Sequence, residues 1–323
     1  MPLVRISAII PTCNRRDRLL RTLRSLFMQS VRPAEVVIVD ASESPVTSDD
    51  LRALLEDGGE IPHVVIERAM TRGAGAQRNQ AIERATLPRL LFVDDDIDLE
   101  PGCLEHLSAC LDADPRLGGC SAVIVNQSYH PPGAVMRTLF RLVGCPRTGS
   151  LAGVIAGPAL NFLPDASIGN ARDRTVEWLN LTCTMYRREA LPCPALLSFF
   201  SGYSLMEDVA LSVEVNRRWR LAAVPTARIF HDSQPADYKD QVFRRERMEL
   251  VNRWFVMTRV VGRRNIGWRL RLLGHQIIML LVGLRNIRRW PKFPMAVAGK
   301  LAGLGDVYLH APDWRGYEPE HHS

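Results

Sequence analysis

Short apolar runs alternate with helical periodicity through the first third of the chain. Val4–Pro11 (VRISAIIP), Glu35–Asp40, His63–Glu67 and Leu90–Val93 read as strands. Leu19, Leu20, Leu23, Leu26 and Phe27 share one face of a helix predicted from about Arg15 to Gln29. Ser48-Asp49-Asp50 offers caps for a helix over Leu51–Glu56, and Gly75–Arg84 reads as another. Pro101 stands at the favoured first position of the next. This alternation predicts an α/β fold: a doubly wound, mostly parallel sheet flanked by helices.

The fourth strand ends in Asp94-Asp95-Asp96. Ligands of open α/β sheets bind at the carboxyl ends of the strands. Three adjacent carboxylates there are either a solvated acidic turn or a seat for a hard cation, Mg²⁺ or Mn²⁺, able to hold a diphosphate. No GxGxxG follows the first strand and no GxxxxGK[ST] occurs, which argues against a dinucleotide-binding site and a P-loop.

Ile9–Arg15 (IIPTCNR), Val37–Ser42 (VIVDAS), Gln77–Ile82 (QRNQAI) and Phe92–Asp96 (FVDDD) resemble the family 2 glycosyltransferases of GT-A fold. Met206–Leu211 (MEDVAL) resembles the family's Glu-Asp motif, and Val224–His231 the strand that ends its catalytic domain. The resemblance covers roughly residues 4–232. It implies a metal-assisted, inverting transfer of a sugar from a nucleotide-diphosphate sugar, a UDP-sugar first, to a hydroxyl of a glycan or lipid-linked acceptor. Asp94 and Asp96 are then the outer carboxylates of a DxD element holding Mn²⁺ or Mg²⁺, with His231 as a further ligand or a structural residue. Asp94 or Asp95 falls near the ribose and diphosphate. Asp208, beside Glu207, is the candidate general base; the bland alternative is a pair of acids complementing a helix dipole. Pro11, Thr12, Asn14, Arg15 and Asp40 match the nucleotide-binding strand ends, and Arg78, ahead of Arg72, is the candidate diphosphate clamp. A nucleotidyltransferase would want a Gly-rich basic loop after the first strand, which is missing; the third alternative is a non-catalytic binding protein on the same fold.

Residues 126–176 are broken by Pro131-Pro132-Gly133, Cys145-Pro146 and Gly157-Pro158 and read as an acceptor-side insertion. Glu177–Cys183 resumes strand character. Trp178 is either an acceptor-stacking or a core residue, and Tyr203 is a second candidate acceptor contact. The expected organisation is a catalytic domain over 1–235, with a nucleotide half to about 125 and an acceptor half beyond it, then a basic helical appendage over 236–323. Seven cysteines without a CxxC pair suit reduced thiols and a cytoplasmic enzyme, and the chain enters its first strand with no leader expected before it.

The net charge of +6 is concentrated in one place. Lys239 to Lys292 holds fourteen Lys/Arg against three Asp/Glu, a local +11. Ile266, Leu270, Leu273, Ile277, Leu280, Leu281 and Leu284 fall on one helical face; Arg264, Arg271, His275, Arg285 and Arg289 fall on another. The longest stretch of this helix free of both charge and histidine, Gln276–Leu284, is far short of the roughly 20 apolar residues a span needs. The helix is expected either to lie on an anionic membrane, peripheral at the inner face of the cytoplasmic membrane, or to pack on the catalytic domain. Nucleic acid is not expected, because Trp268 and Trp290 form no aromatic-interleaved reader. Leu250–Trp254 (LVNRW) occupies the place of the Gln-x-x-Arg-Trp element of processive polymerases. Leu replaces the Gln, so a single-addition enzyme is expected, with Arg253 a candidate contact to the diphosphate or acceptor.

Overall fold

The computed structural model describes residues 3–52, 54, 62–127, 129–146, 149–164, 175–200, 204–233, 241–285 and 287–309. It divides into two compact units, one of residues 1–129 and 163–233, the other of 130–162 and 234–323.

The first unit opens with β1 (Leu3–Thr12), α1 (Arg16–Phe27), β2 (Arg32–Asp40), α2 (Ser48–Arg52), β3 (His63–Arg68), α3 (Ala74–Arg84), β4 (Arg89–Val93) and β5 (Ile97–Leu99). It continues with α4 (Cys103–Ala113) and β6 (Leu117–Ile124). The nine-stranded sheet has the order β3-β2-β1-β4-β10-β6-β11-β5, where β10 is Cys183–Arg187 and β11 is Arg220–His231; β9 (Thr175–Val176) also pairs with β11. Strands β1, β2, β3, β4, β6 and β11 run one way, while β10, β5 and β9 oppose them. The sheet is therefore mostly parallel, as the alternating pattern predicts.

The central strands bury both faces by the two-residue period, while β3 at the end of the sheet is only half-buried. Ile6, Ala8, Ile10, Val36, Ile38, Leu91 and Val93 pack under α1 and α4, against Leu19, Leu23, Leu26, Leu104 and Leu107. Ile9, Val37, Val39, Leu90 and Phe92 face the other side, against Ala81 of α3 and Leu211 and Val215 of α6 (Glu207–Asn216).

Two local expectations fail for identifiable reasons. Helix α4 begins at Cys103, so Pro101 precedes it; Gly102, in the left-handed region at φ 79°, ends a turn closed by Cys103 N–H on Glu100 O before the helix starts. Residues 177–182 are irregular, because side chains take over their backbone groups. Ser212 Oγ accepts from Leu179 N–H at 2.9 Å and donates to Leu179 O at 3.3 Å. Asn180 Oδ1 accepts from Thr182 N–H at 3.2 Å.

The second unit contains α5 (Ala134–Leu142), the β7–β8 hairpin (Ile155–Ala156, Leu160–Asn161), α7 (Val242–Phe255), a π-turn over Val256–Val260, α8 (Ile266–Leu284) and α9 (Phe293–Tyr308). Helices α7 and α9 approach so closely that a Cβ at Gly299 would collide with Phe243 O. Lys300, buried on α9, reaches Glu246 of α7 at 2.8 Å, Glu249 at 3.3 Å and Gln276 of α8. Burial alone would raise Glu249, but Arg253 and Lys300 hold its carboxyl down at about 2.

Candidate active site

Strand direction assembles the site. Because β1, β2, β4 and β11 are co-directional, Thr12, Asp40, Asp94 and His231 all emerge at one edge of the sheet. Strand β5 leaves the acidic turn and doubles back along β11, with Ile97 opposite His231. That register sets His231 one residue from Asp96, and Asp232 N–H donates to Asp96 O at 2.8 Å. Helix α6 precedes β11 and runs against it, which returns Glu207 and Asp208 to the same edge.

The acidic turn splits by alternation. Asp94, Asp96 and His231 offer ligand atoms that all lie within 4.8 Å of one another. Asp95 turns away: its carboxylate accepts from Thr12 Oγ1 at 2.7 Å and Arg15 Nη1 at 3.1 Å, which moors the turn to β1. Asp95 is buried, and burial lifts its carboxyl to about 6. Arg15 Nη1 also donates to Asp96 at 3.0 Å. Burial opposes the charge on Asp96, but the hydrogen bond from His231 Nε2, at 3.1 Å, with Arg15 behind it, holds that carboxyl below its ordinary range. Thr12 and Arg15 therefore occupy the Asp95 carboxylate in this arrangement, while Asp94 is half-buried and pairs with Arg78.

Arg78 joins the acidic turn to α6. Its Nη2 donates to Asp94 Oδ1 at 2.6 Å and its Nη1 to Glu207 Oε1. Glu207 Oε2 and Arg78 Nε are buried without a hydrogen-bond partner. A Cβ at Gly75 would lie 2.5 Å from Glu207 Oε2, so the glycine makes room for the carboxylate. Burial raises Glu207 to about 7 and Asp208 to about 6, the latter against the pull of Val209 N–H and Arg78. Desolvation outweighs the helix N-terminus at Asp208 and leaves a carboxyl that is mostly ionised at pH 7 but easily protonated.

The remaining predicted residues take different places. Asp40 is 1% exposed, and its two oxygens accept Ser42 N–H at 2.7 Å and Val46 N–H at 2.9 Å; it caps its own loop. Asn14, at φ 55°, donates N–H to Ser42 Oγ at 2.6 Å and accepts from Glu43 N–H at 3.0 Å. Pro11 is buried and Arg72 exposed. Trp178 is 3% exposed and presents no face for stacking, which corrects its reading as an acceptor platform; it packs inside once the loop 177–182 folds inward. Tyr203 lies outside the described residues. Arg253 donates to Glu249 at 2.5 Å and to Ala159 O, both within the second unit, so its guanidinium is engaged there rather than free for a diphosphate.

Sequence reasoning missed the residues that brace this edge. Gln77 Nε2 donates to Thr12 O at 2.9 Å and Val39 O at 2.8 Å, stapling the ends of β1 and β2. Asn79 holds Leu196 by both backbone groups, at 2.7 and 2.9 Å. Asn126 does the same for His231, at 2.8 and 3.0 Å, continuing the β6–β11 pairing with a side chain. Gln127 Nε2 meets His231 Nδ1 at 3.0 Å. The QRN segment flags the first two; nothing in the sequence distinguishes Asn126-Gln127 from loop polarity.

Comparisons with known proteins agree with this architecture. An uncharacterized glycosyltransferase of Bacillus subtilis, YwdF, is 34% identical over 106 residues, which are 32% of this chain and 37% of that protein. The GalNAc(5)-diNAcBac-PP-undecaprenol beta-1,3-glucosyltransferase of Campylobacter jejuni is 26% identical over 103 residues, 32% of this chain and 33% of the other. The matched region thus spans about a third of these curated relatives. The mannosyltransferase PcManGT of Pyrobaculum calidifontis, solved with GDP-Man and Mn²⁺, shares the fold with a TM-score of 0.52 at 17% identity, over 95% of this chain and 77% of that one. The model of glycosyl transferase family 2 matches residues 7–192, more than half of the chain, and with the GT-A arrangement of the sheet this shows that the chain belongs to that family.

Proposed function

We propose that this chain is a non-processive, inverting glycosyltransferase that moves a sugar from a nucleotide-diphosphate sugar, a UDP-sugar first, to a hydroxyl of a glycan or lipid-linked acceptor. The observation that carries this reading is the joining of the Asp94–Asp96–His231 cluster to the Glu207-Asp208 helix start through Arg78.

The donor set fits a hard divalent cation: two carboxylates and an imidazole converge, and both acids already draw an arginine as countercharge. Asp94, Asp96 and His231 would hold Mn²⁺ or Mg²⁺, which supplies Lewis-acid neutralisation of the leaving diphosphate. Arg15 and Arg78 lie against the same acids and are placed to take up phosphate oxygens when those acids turn to a cation. Asp40 shapes the loop that lines the base pocket through backbone hydrogen bonds, instead of offering an empty carboxylate to the base.

Asp208 accepts the proton of the acceptor hydroxyl as that oxygen bonds to the anomeric carbon and the bond to the diphosphate breaks. Attack from the face opposite the leaving group inverts the centre. Glu207, paired with Arg78, positions the helix start; among the described residues every other carboxylate of the cluster is given to the cation or to an arginine, which leaves none for a covalent nucleophile. On this reading the enzyme works at the cytoplasmic face of a membrane, with the basic second unit, +11 over Lys239–Lys292, against anionic lipid.

The test is Asp208→Asn, which keeps shape and removes the proton acceptor. Turnover should fall by about 10² or more with nucleotide affinity within a few-fold of the parent. An equal loss of donor affinity would move Asp208 to the nucleotide, and undiminished turnover would remove it from the chemistry.

A further inference from the structure

Helix α8 is held from the side opposite its most apolar one. Leu272, His275 and Gln276 are buried, with His275 6.4 Å from the Phe140 ring and Gln276 on Lys300. His275 was expected on the basic face; it lies inside instead, and burial lowers it to about 4. Ile266, Leu270, Leu273, Ile277, Leu281 and Leu284 are 38–69% exposed. At about 100° per residue these six fall within about 80° of arc, a stripe about 27 Å long facing solvent. A surface helix ordinarily turns charge outward and its apolar face inward. An apolar patch of this length marks a contact surface.

Charge selects the occupant. From Leu250 to Gly305 the chain has eleven Lys/Arg and no Asp/Glu. Two copies of this chain paired stripe to stripe would bring like charges together, whereas anionic lipid brings the opposite sign. Arg269 borders the stripe on one side and Arg285 and Arg271 on the other, by the same helical spacing. Their stems can lie along the apolar surface with the heads at phosphate level. Trp290, 55% exposed just beyond the helix, has the amphipathic ring that suits a membrane interface. No helix among the described residues is long and apolar enough to cross a bilayer.

We propose that α8 lies in the plane of an anionic membrane with the stripe from Ile266 to Leu284 inserted among the acyl chains. This rests on the membrane-surface reading above and goes beyond it: adhesion by charge alone needs no insertion.

The full-length protein is floated with neutral and with phosphatidylglycerol-containing vesicles at low and high salt, beside the exposed-site variant Leu270→Ser/Ile277→Ser/Leu281→Ser. The parent should prefer anionic vesicles and keep part of its binding in high salt. Brominated acyl chains should quench a fluorescence component that Trp290→Phe removes. The triple variant should lose at least about tenfold in high-salt partition with Tm and nucleotide binding unchanged. Equal high-salt partition of parent and variant, or no Trp290 quenching, overturns insertion and leaves charge adhesion standing. A parent that ignores every vesicle overturns both readings. A parent dimer in sedimentation that the triple variant dissociates would give the stripe to a second copy.

Discussion

At His231 the chemistry turns on one amide. His231 Nδ1 lies 3.0 Å from Gln127 Nε2, and Nε2 lies 3.1 Å from Asp96; with the amide turned this way, Nδ1 serves as acceptor only in the tautomer that carries its proton on Nε2. A ligating imidazole needs Nε2 bare and the proton on Nδ1. Gln127 can serve both tautomers, because rotating its amide presents Oε1 as the acceptor. Gln127→Leu should therefore weaken Mn²⁺ binding about 10–100-fold in a titration followed by electron paramagnetic resonance, while Gln127→Glu, an acceptor for Nδ1–H, should retain it. A Leu variant that binds Mn²⁺ like the parent would detach Gln127 from the site. Asp208 gives a pH prediction. Its carboxyl is raised to about 6, the ionised form is the base, and so kcat/KM should fall as pH drops through about 6 rather than near 4. An acid limb at the ordinary aspartate value would show that Asp208 is not the group titrating. Asp94, Asp96 and Asp208 were legible in sequence as candidate site carboxylates, and the structure brings them to one edge of the sheet. Which of three adjacent aspartates faces which way was not, because only the register of β5 on β11 brings His231 to Asp96.

Elements were legible where periodicity was clean. The first four strands and α1 and α3 lie within a few residues of the pattern, since both faces of the sheet demand apolar residues in alternation. The loop at 177–182 was not, because its bonds go to Ser212 and Asn180, distant or local side chains that no period reveals. Helix α8 was legible as amphipathic, but not in sense: the apolar stripe is outward because Leu272, His275 and Gln276 satisfy the packing inside. Between elements, Gly75 tests how tightly α3 seats α6. Gly75→Ala should push against Glu207 and cost about 1–3 kcal/mol, seen as a Tm lower by several degrees. It should also loosen the Arg78–Glu207 pairing and reduce turnover. An alanine variant with the parent's Tm and rate would mean the helix shifts without consequence.

Across the whole molecule, family membership and fold follow from residues 7–192 and the sheet. Residues 130–162 group with the C-terminal segment, an association of parts far apart in sequence that composition could not announce. The basic helices belong to that second unit, and the cluster of acids to the first. The two units would meet in function if the acidic turn is a cation-dependent seat for a nucleoside diphosphate. Calorimetric titration of the parent and of Asp94→Ala/Asp96→Ala with UDP and GDP, each with Mn²⁺ and with chelator, tests it most directly. Saturable binding is expected in Mn²⁺, UDP tighter than GDP, reduced at least about tenfold by chelator and equally by the double substitution. Nucleotide binding of the same strength in the double variant, or binding indifferent to Mn²⁺, would contradict it.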